Sequence, residues 1–526
     1  MKKRVLSMLL ASAMVLPMAL SGCGKNGDDG GPDANGNVTL TWALPFSVQK
    51  DYDQVMGEAN KLLAELMPGT QLKFMMDTSM ADKWSLWMAG KTPIDIALSG
   101  YSNPLADQIN KKSYKELDAL IDQYAPTIKA EREQFPDLYQ TGVMNDKLYA
   151  IPNIQIYINT DYGIRIPNKY AEFLDVAALQ EAAKNSPTTT EATYKILDDY
   201  LNKVFAQPGV KGDYVIEMEY TPDRLSKRGF EFLGSNSSAL CYRPFAGTDK
   251  VEVLNFYETE EFSLWTKYAR KWFEKGYISK DVLTGGSASA NEILSSNVYN
   301  FTEGDDDGDG VMVRSDKNAA GETIDYLFVN LTPESQKYRG TSVTGSNKVY
   351  CSIPATSKNP EKAMQLLELL RTEKGAPLLN MLVYGLEGTH YDKTSDTEIK
   401  PRDYAGQGVS NSAYGIPNWM MGTHFNMYVV YPYTEKTRTA ANEYFKNRLP
   451  SYTKTPVYGL TINNSGLEND LAQIDSAVTE YKTQLTSGMF AEHDKNLANM
   501  LKKLKAAGLD EVKSNYQAQI DAYIAK

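Results

Sequence analysis

The sequence predicts an α/β protein with an open sheet and a largely helical C-terminal part. Three observations carry that prediction. Strand and helix patterns alternate from Val38 to Tyr124 in the order βαβαβ. Helical patterns alone fill residues 471–523. Composition is that of an ordinary globular chain, with 42% hydrophobic and 23% charged residues over a length of 526, enough for two large lobes.

Val38, Leu40 and Trp42 alternate with Thr39, Thr41 and Ala43, the period of a half-buried strand ending near Pro45. Val55, Ala59, Leu62, Leu63 and Leu66 follow at helical spacing, and Pro68-Gly69 stops that helix. Leu72, Phe74 and Met76 mark a second strand. A short helix carries Trp84 and Trp87, a third strand holds Ile94, Ile96 and Leu98, and Leu117, Leu120, Ile121 and Tyr124 mark another helix. Further on, Tyr194, Leu197, Leu201 and Val204 share a helical face, as do Phe262, Trp265, Tyr268 and Trp272. Pro360 opens a helix through Met364, Leu367 and Leu370, because a proline at the first helical position gives up no hydrogen bond. The last stretch repeats the pattern at Leu471, Ile474, Val478, Tyr481 and Leu485, then Leu497, Leu501 and Leu504, then Val512, Tyr516, Ile520 and Tyr523. No internal repeat of fixed period interrupts this order.

Charge and residue counts exclude several function classes. A mean hydropathy of -0.43 excludes a polytopic membrane protein. A net charge of -11 with a pI near 5.1 argues against a general nucleic-acid binder. With 3 Cys and 3 His, neither a disulfide scaffold nor His-based metal chemistry has enough material. Gly90-Lys91-Thr92 lacks the upstream glycine of a phosphate loop, Ser85 standing there, and neither a G-x-S-x-G elbow nor an H-E-x-x-H pair occurs.

The N-terminus gives an address. Lys2, Lys3 and Arg4 precede an apolar stretch from Val5 to Leu20, which meets Leu20-Ser21-Gly22-Cys23. That is the layout of a secretory signal peptide over 1–22, too short and too broken to span a bilayer. Leu-Ser-Gly-Cys resembles the bacterial lipobox, which implies cleavage before Cys23 and diacylglycerol transfer to its thiol. Residues 23–37 then form a lipidated, apolar-poor tether. The expected location is the extracytoplasmic face of a bacterial cell membrane, touched only through the lipid.

Several local texts, taken in order, resemble one family. Ile94-Asp95-Ile96-Ala97-Leu98-Ser99-Gly100-Tyr101 resembles the "PDI-strand then aromatic" segment of the sugar-binding lipoproteins of ABC importers, the family that includes maltose-binding protein. Leu117-Asp118-Ala119-Leu120-Ile121 resembles its "L-x-x-L-I" helix. Leu148-Tyr149-Ala150-Ile151-Pro152-Asn153, running into Tyr157-Ile158-Asn159, resembles the strand that first crosses between lobes. Ser357-Lys358-Asn359-Pro360-Glu361-Lys362-Ala363 resembles the return to the first lobe, and Tyr384-Gly385-Leu386-Glu387-Gly388-Thr389-His390-Tyr391 resembles a longer, oligosaccharide-binding branch. The resemblance implies a type II periplasmic-binding-protein fold: two discontinuous α/β lobes joined by a hinge, with a helical C-terminal extension. Lobe 1 is expected at 38–155 plus 335–385, and lobe 2 at 156–334 plus 386–526. It further implies a monomeric, non-enzymatic protein that needs no cofactor, captures a carbohydrate and delivers it to an ABC permease. A glycan-processing enzyme with a carboxylate pair and a non-transport glycan adhesin are the rival readings.

Open α/β sheets bind ligands just past their strand ends, which selects the candidate contacts. Phe46 and Ser47 follow the first strand, and Tyr101 and Ser102 the third. Asn153 and Gln155 lie at the crossing, and Asn300 and Glu303 end a strand Val298-Tyr299-Asn300-Phe301. Asn418 and Trp419 sit in a turn-rich stretch where an indole has no helical stripe to join, and the resemblance places an aromatic platform there. Trp42, Trp84 and Trp87 belong to packing, and Cys241 and Cys351 are expected as buried free thiols in different lobes. Asp305, Asp307 and Asp309 occupy positions 1, 3 and 5 of a D-x-D-x-D-G calcium loop, with Gly310 at the sharp turn, the Val311 carbonyl at position 7 and Asp316 at position 12. The flanking helices of an EF-hand are not evident, so a structural Ca2+ and a solvated acidic loop both stay open.

Overall fold

Alternation along the first strand sorts its side chains between two faces of one sheet. In the computed structural model, Val38–Leu44 buries Leu40, Trp42 and Leu44 on one side with Ile96 and Leu98. Ala43 and Ala97 face the other side, under Met80, Trp84 and Tyr114. The structure describes residues 31–33, 36–101, 103, 105–154, 161–210, 224–233, 239–244, 251–278, 300–304, 311–317, 323–331, 338–339, 349–402, 413–431, 434–460 and 462–525. The sheet order is Thr70–Met76, Val38–Leu44, Ile96–Ser99, Tyr350–Ser352, Ile151–Pro152. The first three strands are parallel, and Tyr350–Ser352 runs antiparallel to both its neighbours.

Two segments singled out by the resemblance meet beneath this sheet. The buried Asp95 carboxylate accepts from Thr41 N (3.0 Å), Ser357 Oγ (2.8 Å) and Asn359 Nδ2 (3.3 Å). A buried carboxylate needs such donors to offset lost hydration. Here they fasten the start of helix Pro360–Leu369 onto the third strand, across 262 positions of sequence.

A second, wholly antiparallel sheet has the order Asn300–Gly304, Asp161–Pro167, Thr323–Asn330, Val311–Lys317. Ile164, Ile166, Leu327 and Val329 pack there against helices Val176–Asn185, Glu191–Phe205 and Glu260–Glu274. Thr259 caps the last of these, its Oγ1 accepting from Phe262 N at 3.3 Å. The same helix sends Trp265 and Trp272 into this core and Phe262 into the next, and so links the two. That next core is where the C-terminal helices Glu468–Thr486, His493–Ala506 and Leu509–Ile524 pack against strand Leu240–Tyr242 and Phe256. The expected helical extension is thus part of a core: each buried leucine, Leu504 or Leu485 for example, contributes about 2 kcal/mol to it.

The segment expected to begin the second lobe at 386 packs elsewhere. Tyr391, Ile399, Tyr414, Ile416, Met420, Met427 and Phe445 all join the first core. Helix Ala376–Tyr384 stops at Gly385, whose φ of +83° turns the chain back over the first sheet.

Followed through the described residues, the chain passes three times between the first core and the rest. The first lies between Pro152 and Asp161, the second between Leu331 and Val349, the third between Phe445 and Val457. Tyr338–Arg339 on the second pairs in parallel with Thr453–Lys454 on the third. Past this pairing, Tyr458 Oη donates to Asp137 at 2.5 Å and Asn463 accepts from Asn110 at 2.8 Å, both partners belonging to the first-core side. Tyr516 Oη meanwhile donates to Asn464 at 2.7 Å from the C-terminal helices.

A buried arginine stands where each of the first two crossings begins. Arg371 donates to Pro152 O (2.6 Å) and is paired with Glu131, which also accepts from Tyr139 Oη at 2.5 Å. Burial raises the Glu131 pKa, with the Arg371 charge opposing that rise. Arg228 donates to Leu331 O (2.7 Å), Thr188 O (2.8 Å), Ala183 O (2.8 Å) and Ser186 O (2.9 Å).

Cys241 and Cys351 are buried free thiols in separate cores, as expected. Trp42 and Trp84 are fully buried, and Trp87 is half-buried with its ring edge against Trp84 at 6.4 Å. No helix among the described residues is long and apolar enough to cross a membrane.

Candidate functional site

Because Val38–Leu44 and Ile96–Ser99 are parallel neighbours, with Trp42 opposite Ile96, their carboxyl ends open on one edge of the sheet. The chain leaves the third strand through Gly100, whose φ of +88° permits a turn closed by Gly100 N donating to Asn103 O at 2.9 Å. That turn puts Tyr101 at the edge with 65% of its surface exposed, unusual for a large aromatic. Trp419 comes to meet it from 318 positions away: the ring centroids are 4.8 Å apart and the planes tilted by 50°. The indole is half-buried against the first core and follows Pro417 on a single 3-10 turn, Asn418–Met420.

Several bonds hold this turn. Met420 N donates to Pro417 O and Ile416 N to Val383 O, both at 2.9 Å, while Tyr414 Oη donates to Leu382 O at 2.8 Å. Asn418 bonds to the Tyr384 side chain. The buried Asn153 donates from Nδ2 to Trp419 O (3.3 Å), and its Oδ1 accepts from Cys351 Sγ at 3.2 Å. Burial pushes the Cys351 thiol up to about 12, so it stays a donor at neutral pH. The crossing and the aromatic pair thus share one amide.

Phe46 and Ser47 lie at the same strand end, Phe46 half-buried against the first core and Ser47 exposed, followed by Val48 at 65% exposure. Six expected residues, Phe46, Ser47, Tyr101, Asn153, Asn418 and Trp419, therefore belong to the first-core side. Asn300 and Glu303 stand on the second sheet, within the edge strand Asn300–Gly304 rather than beyond its end, because the ladder to Asp161–Pro167 continues through both, Asn300 opposite Arg165 and Glu303 opposite Tyr162. Ser102 and Gln155 lie outside the described residues, as do Asp305, Asp307 and Asp309. Val311 and Asp316 are in the strand Val311–Lys317, so the acidic segment is flanked by strands and not by the helices of an EF-hand. Among the described residues no cluster of His, Cys, Asp or Glu is placed to hold a metal ion.

Sequence reasoning missed Gln49, Cys351 and His390 as supports of this edge. Gln49 exchanges two hydrogen bonds with Gly415, and His390 faces Asp51 at 3.3 Å. Nothing local marks them, since their partners are hundreds of positions away. A separate recess of about 410 Å³ lies against helices Asp118–Tyr124 and Pro126–Gln134, far less suited to a neutral ligand. Four of its charges are already paired, Arg132 with Asp118 at 2.8 Å and Lys129 with Asp122 at 2.7 Å, and Glu133 adds a fifth.

Residues 456–525 match the family model described as "Domain of unknown function (DUF3502)". Over 537 residues, 98% of this chain and 97% of the other, the sequence is 23% identical to the "Carbohydrate ABC transporter substrate-binding protein" of Streptococcus pneumoniae serotype 4 (strain ATCC BAA-334 / TIGR4). The crystal structure of the N-glycan transport solute binding protein (NgtS) from Streptococcus pneumoniae superposes with a TM-score of 0.68 at 18% identity, covering 93% of this chain and 99% of that one. The fold is that of the type II solute-binding proteins. Another structure with this fold, an EF-hand mutant of the S. pneumoniae ABC-transporter substrate binding protein FusA in complex with fructo-nystose, gives a TM-score of 0.53 at 16% identity, covering 93% of this chain and 99% of that one. Within the solute-binding fold, the Tyr101–Trp419 pair stands at the strand ends, where ligands of open α/β sheets are held.

Proposed function

We propose that this chain captures an oligosaccharide outside the cytoplasmic membrane and hands it, chemically unchanged, to the permease of an ABC importer. The observation that carries the reading is the pairing of exposed Tyr101 with half-buried Trp419 at the carboxyl edge of the first sheet. Tilted aromatic faces suit the C–H faces of pyranose rings, and the polar groups described around the pair are amides, a thiol and main chain. The carbohydrate named for the pneumococcal relative and the N-glycan transport named for NgtS support the same ligand class.

In this reading one lobe comprises residues 38–154 and 349–445, the other 161–331 and 457–525, and ligand shifts an open–closed equilibrium between them. Asn300 and Glu303 would contribute from the opposing lobe. The protein acts as a monomer, anchored through acylated Cys23 and the tether of residues 24–36. Asp305, Asp307, Asp309 and the Val311 carbonyl hold a structural Ca2+, a reading supported by the EF-hand that was mutated in the FusA structure. Position 12 drops out, because Asp316 lies five residues along the same extended strand as Val311, about 16 Å away. Calorimetric titration of chelator-treated protein should then show calcium heat and a higher melting temperature at millimolar calcium; absence of both sinks the calcium site alone.

The capture reading is tested with soluble protein beginning at Gly24. A thermal-shift screen of mono- and oligosaccharides should find a stabilising glycan that mass spectrometry recovers intact. Trp419→Ala should weaken its binding by about 1–3 kcal/mol while the ligand-free melting temperature changes little. Turnover of the glycan, or unchanged affinity alongside collapsed stability, would overturn the reading.

A further inference from the structure

The turn that carries Trp419 has a support that none of the sugar-facing residues supplies. Gln49 leaves the first strand's end and lays its amide along Gly415: Nε2 donates to Gly415 O at 2.5 Å and Oε1 accepts from Gly415 N at 2.7 Å. Both main-chain groups of one residue are thereby satisfied by one side chain, much as a neighbouring strand would satisfy them. Two residues on, Asp51 N donates to Ala413 O at 3.1 Å. The Asp51 carboxylate faces His390 Nε2 at 3.3 Å, and His390 Nδ1 accepts from Leu386 N at 2.9 Å, which leaves the proton on Nε2, pointing at Asp51. On the far side, Ile416 N is held by Val383 O. The chain from Ala413 to Ile416 is clamped from both sides, and the Trp419 turn starts at the next residue, Pro417.

We infer that Gln49 is a positioning residue for the ligand site: it fixes the spacing between the strand-end turn at Phe46–Val48 and the turn bearing Trp419. The ligand meaning of that spacing rests on the capture reading above; the positioning itself does not. A glutamine suits the task because it both donates and accepts. Glutamate has the same shape and still accepts from Gly415 N, but it sets a second acceptor against Gly415 O until it is protonated. Methionine keeps the volume and loses both bonds.

The test uses the full mature chain without ligand. In Gln49→Met, hydrogen–deuterium exchange of residues 413–420 should quicken about tenfold, while helix Glu468–Thr486 keeps its rate. The part of acrylamide quenching due to Trp419, read as the difference from the matching Trp419→Phe protein, should rise about twofold. Gln49→Glu should behave like Gln49→Met at pH 7 and regain the wild-type protection, corrected for intrinsic exchange, as pH falls through the carboxyl range toward 4. Wild-type exchange and quenching in Gln49→Met, or a Gln49→Glu protein without pH-dependent recovery, overturns the inference. Should Trp419→Ala bind glycan like wild type, the capture reading fails instead, and the exchange result still decides the role of Gln49.

Discussion

The two buried arginines solve one problem in opposite ways. Each grips a main-chain carbonyl beside a crossing, Arg371 at Pro152 and Arg228 at Leu331. Arg371 brings a counter-charge with it: Glu131 neutralises it, and the pair's carboxylate accepts from Tyr139. Arg228 satisfies its fork with four carbonyls and has no charged partner among the described residues, and burial lowers its pKa to about 10. A charge-paired anchor depends on its partner's ionisation, whereas a carbonyl-held anchor depends on the local shape of the chain around it.

The largest expected effect separates the two directly. Arg371→Met should destabilise the first lobe by about 4 kcal/mol, because Glu131 is left as a buried charge without compensation, and Glu131→Leu added to it should recover most of that loss. Arg228→Met should cost about 3 kcal/mol, from carbonyls left without donors, and no carboxylate substitution should rescue it. Urea denaturation of the three proteins reads this. Equal rescue in both lobes, or none in either, would erase the contrast.

A second test asks whether acid loosens the first crossing. His424 N donates to Ile154 O (2.8 Å), and the imidazole is buried against Phe425 and Phe445, with Nε2 at 3.0 Å from Asn442 Oδ1 and the Arg438 cation nearby. Burial lowers its pKa from 6.5 to about 4. The unfolded chain therefore takes up a proton near pH 6.5 that the folded protein refuses until about pH 4. Stability from this site is full above pH 6.5 and falls as pH drops toward 4, by about 3 kcal/mol in all. His424→Gln should flatten the stability profile in that window; an unchanged slope would remove His424 from the account.

The smallest effect concerns the thiols. Cys351 bonds to Asn153 beside the first crossing and Cys241 lies in the core of the C-terminal helices, and burial raises both pKa values. Neither should react with a thiol reagent at neutral pH in the native protein, and both should react once urea unfolds it. Selective labelling of Cys241 alone would show that its core opens more readily than the first.

The sheet and the long helices were legible in the sequence because their signals are local. Alternation from Val38 to Trp42 gives the first strand, Pro360 marks its helix, and the leucine spacing after residue 471 gives the three final helices. Tyr101 and Trp419 could be picked out because each aromatic stands in a turn with no apolar stripe to absorb it. The Gln49–Gly415 bridge could not, since it joins two ordinary residues 366 positions apart. The placement of residues 386–445 was equally hidden. Its strands Tyr391–Lys393 and Glu398–Pro401 are too short to show a period, and the return over the first sheet hangs on the single backbone conformation of Gly385.

The third crossing, between Phe445 and Val457, has a mechanical consequence. A body hung from one thread can swing and also spin; a second thread restricts the spin, and a third, set apart from the first, removes most of it. The two-residue ladder between residues 338–339 and 453–454 ties two of the three threads together. In the proposed open–closed exchange, such a tie should narrow the relative motion of the two sides toward a single arc. If the chain captures a glycan by closure as proposed, the same two walls should face each other at every closing, and discrimination among glycans would reside in the chemistry of those walls rather than in how they come together.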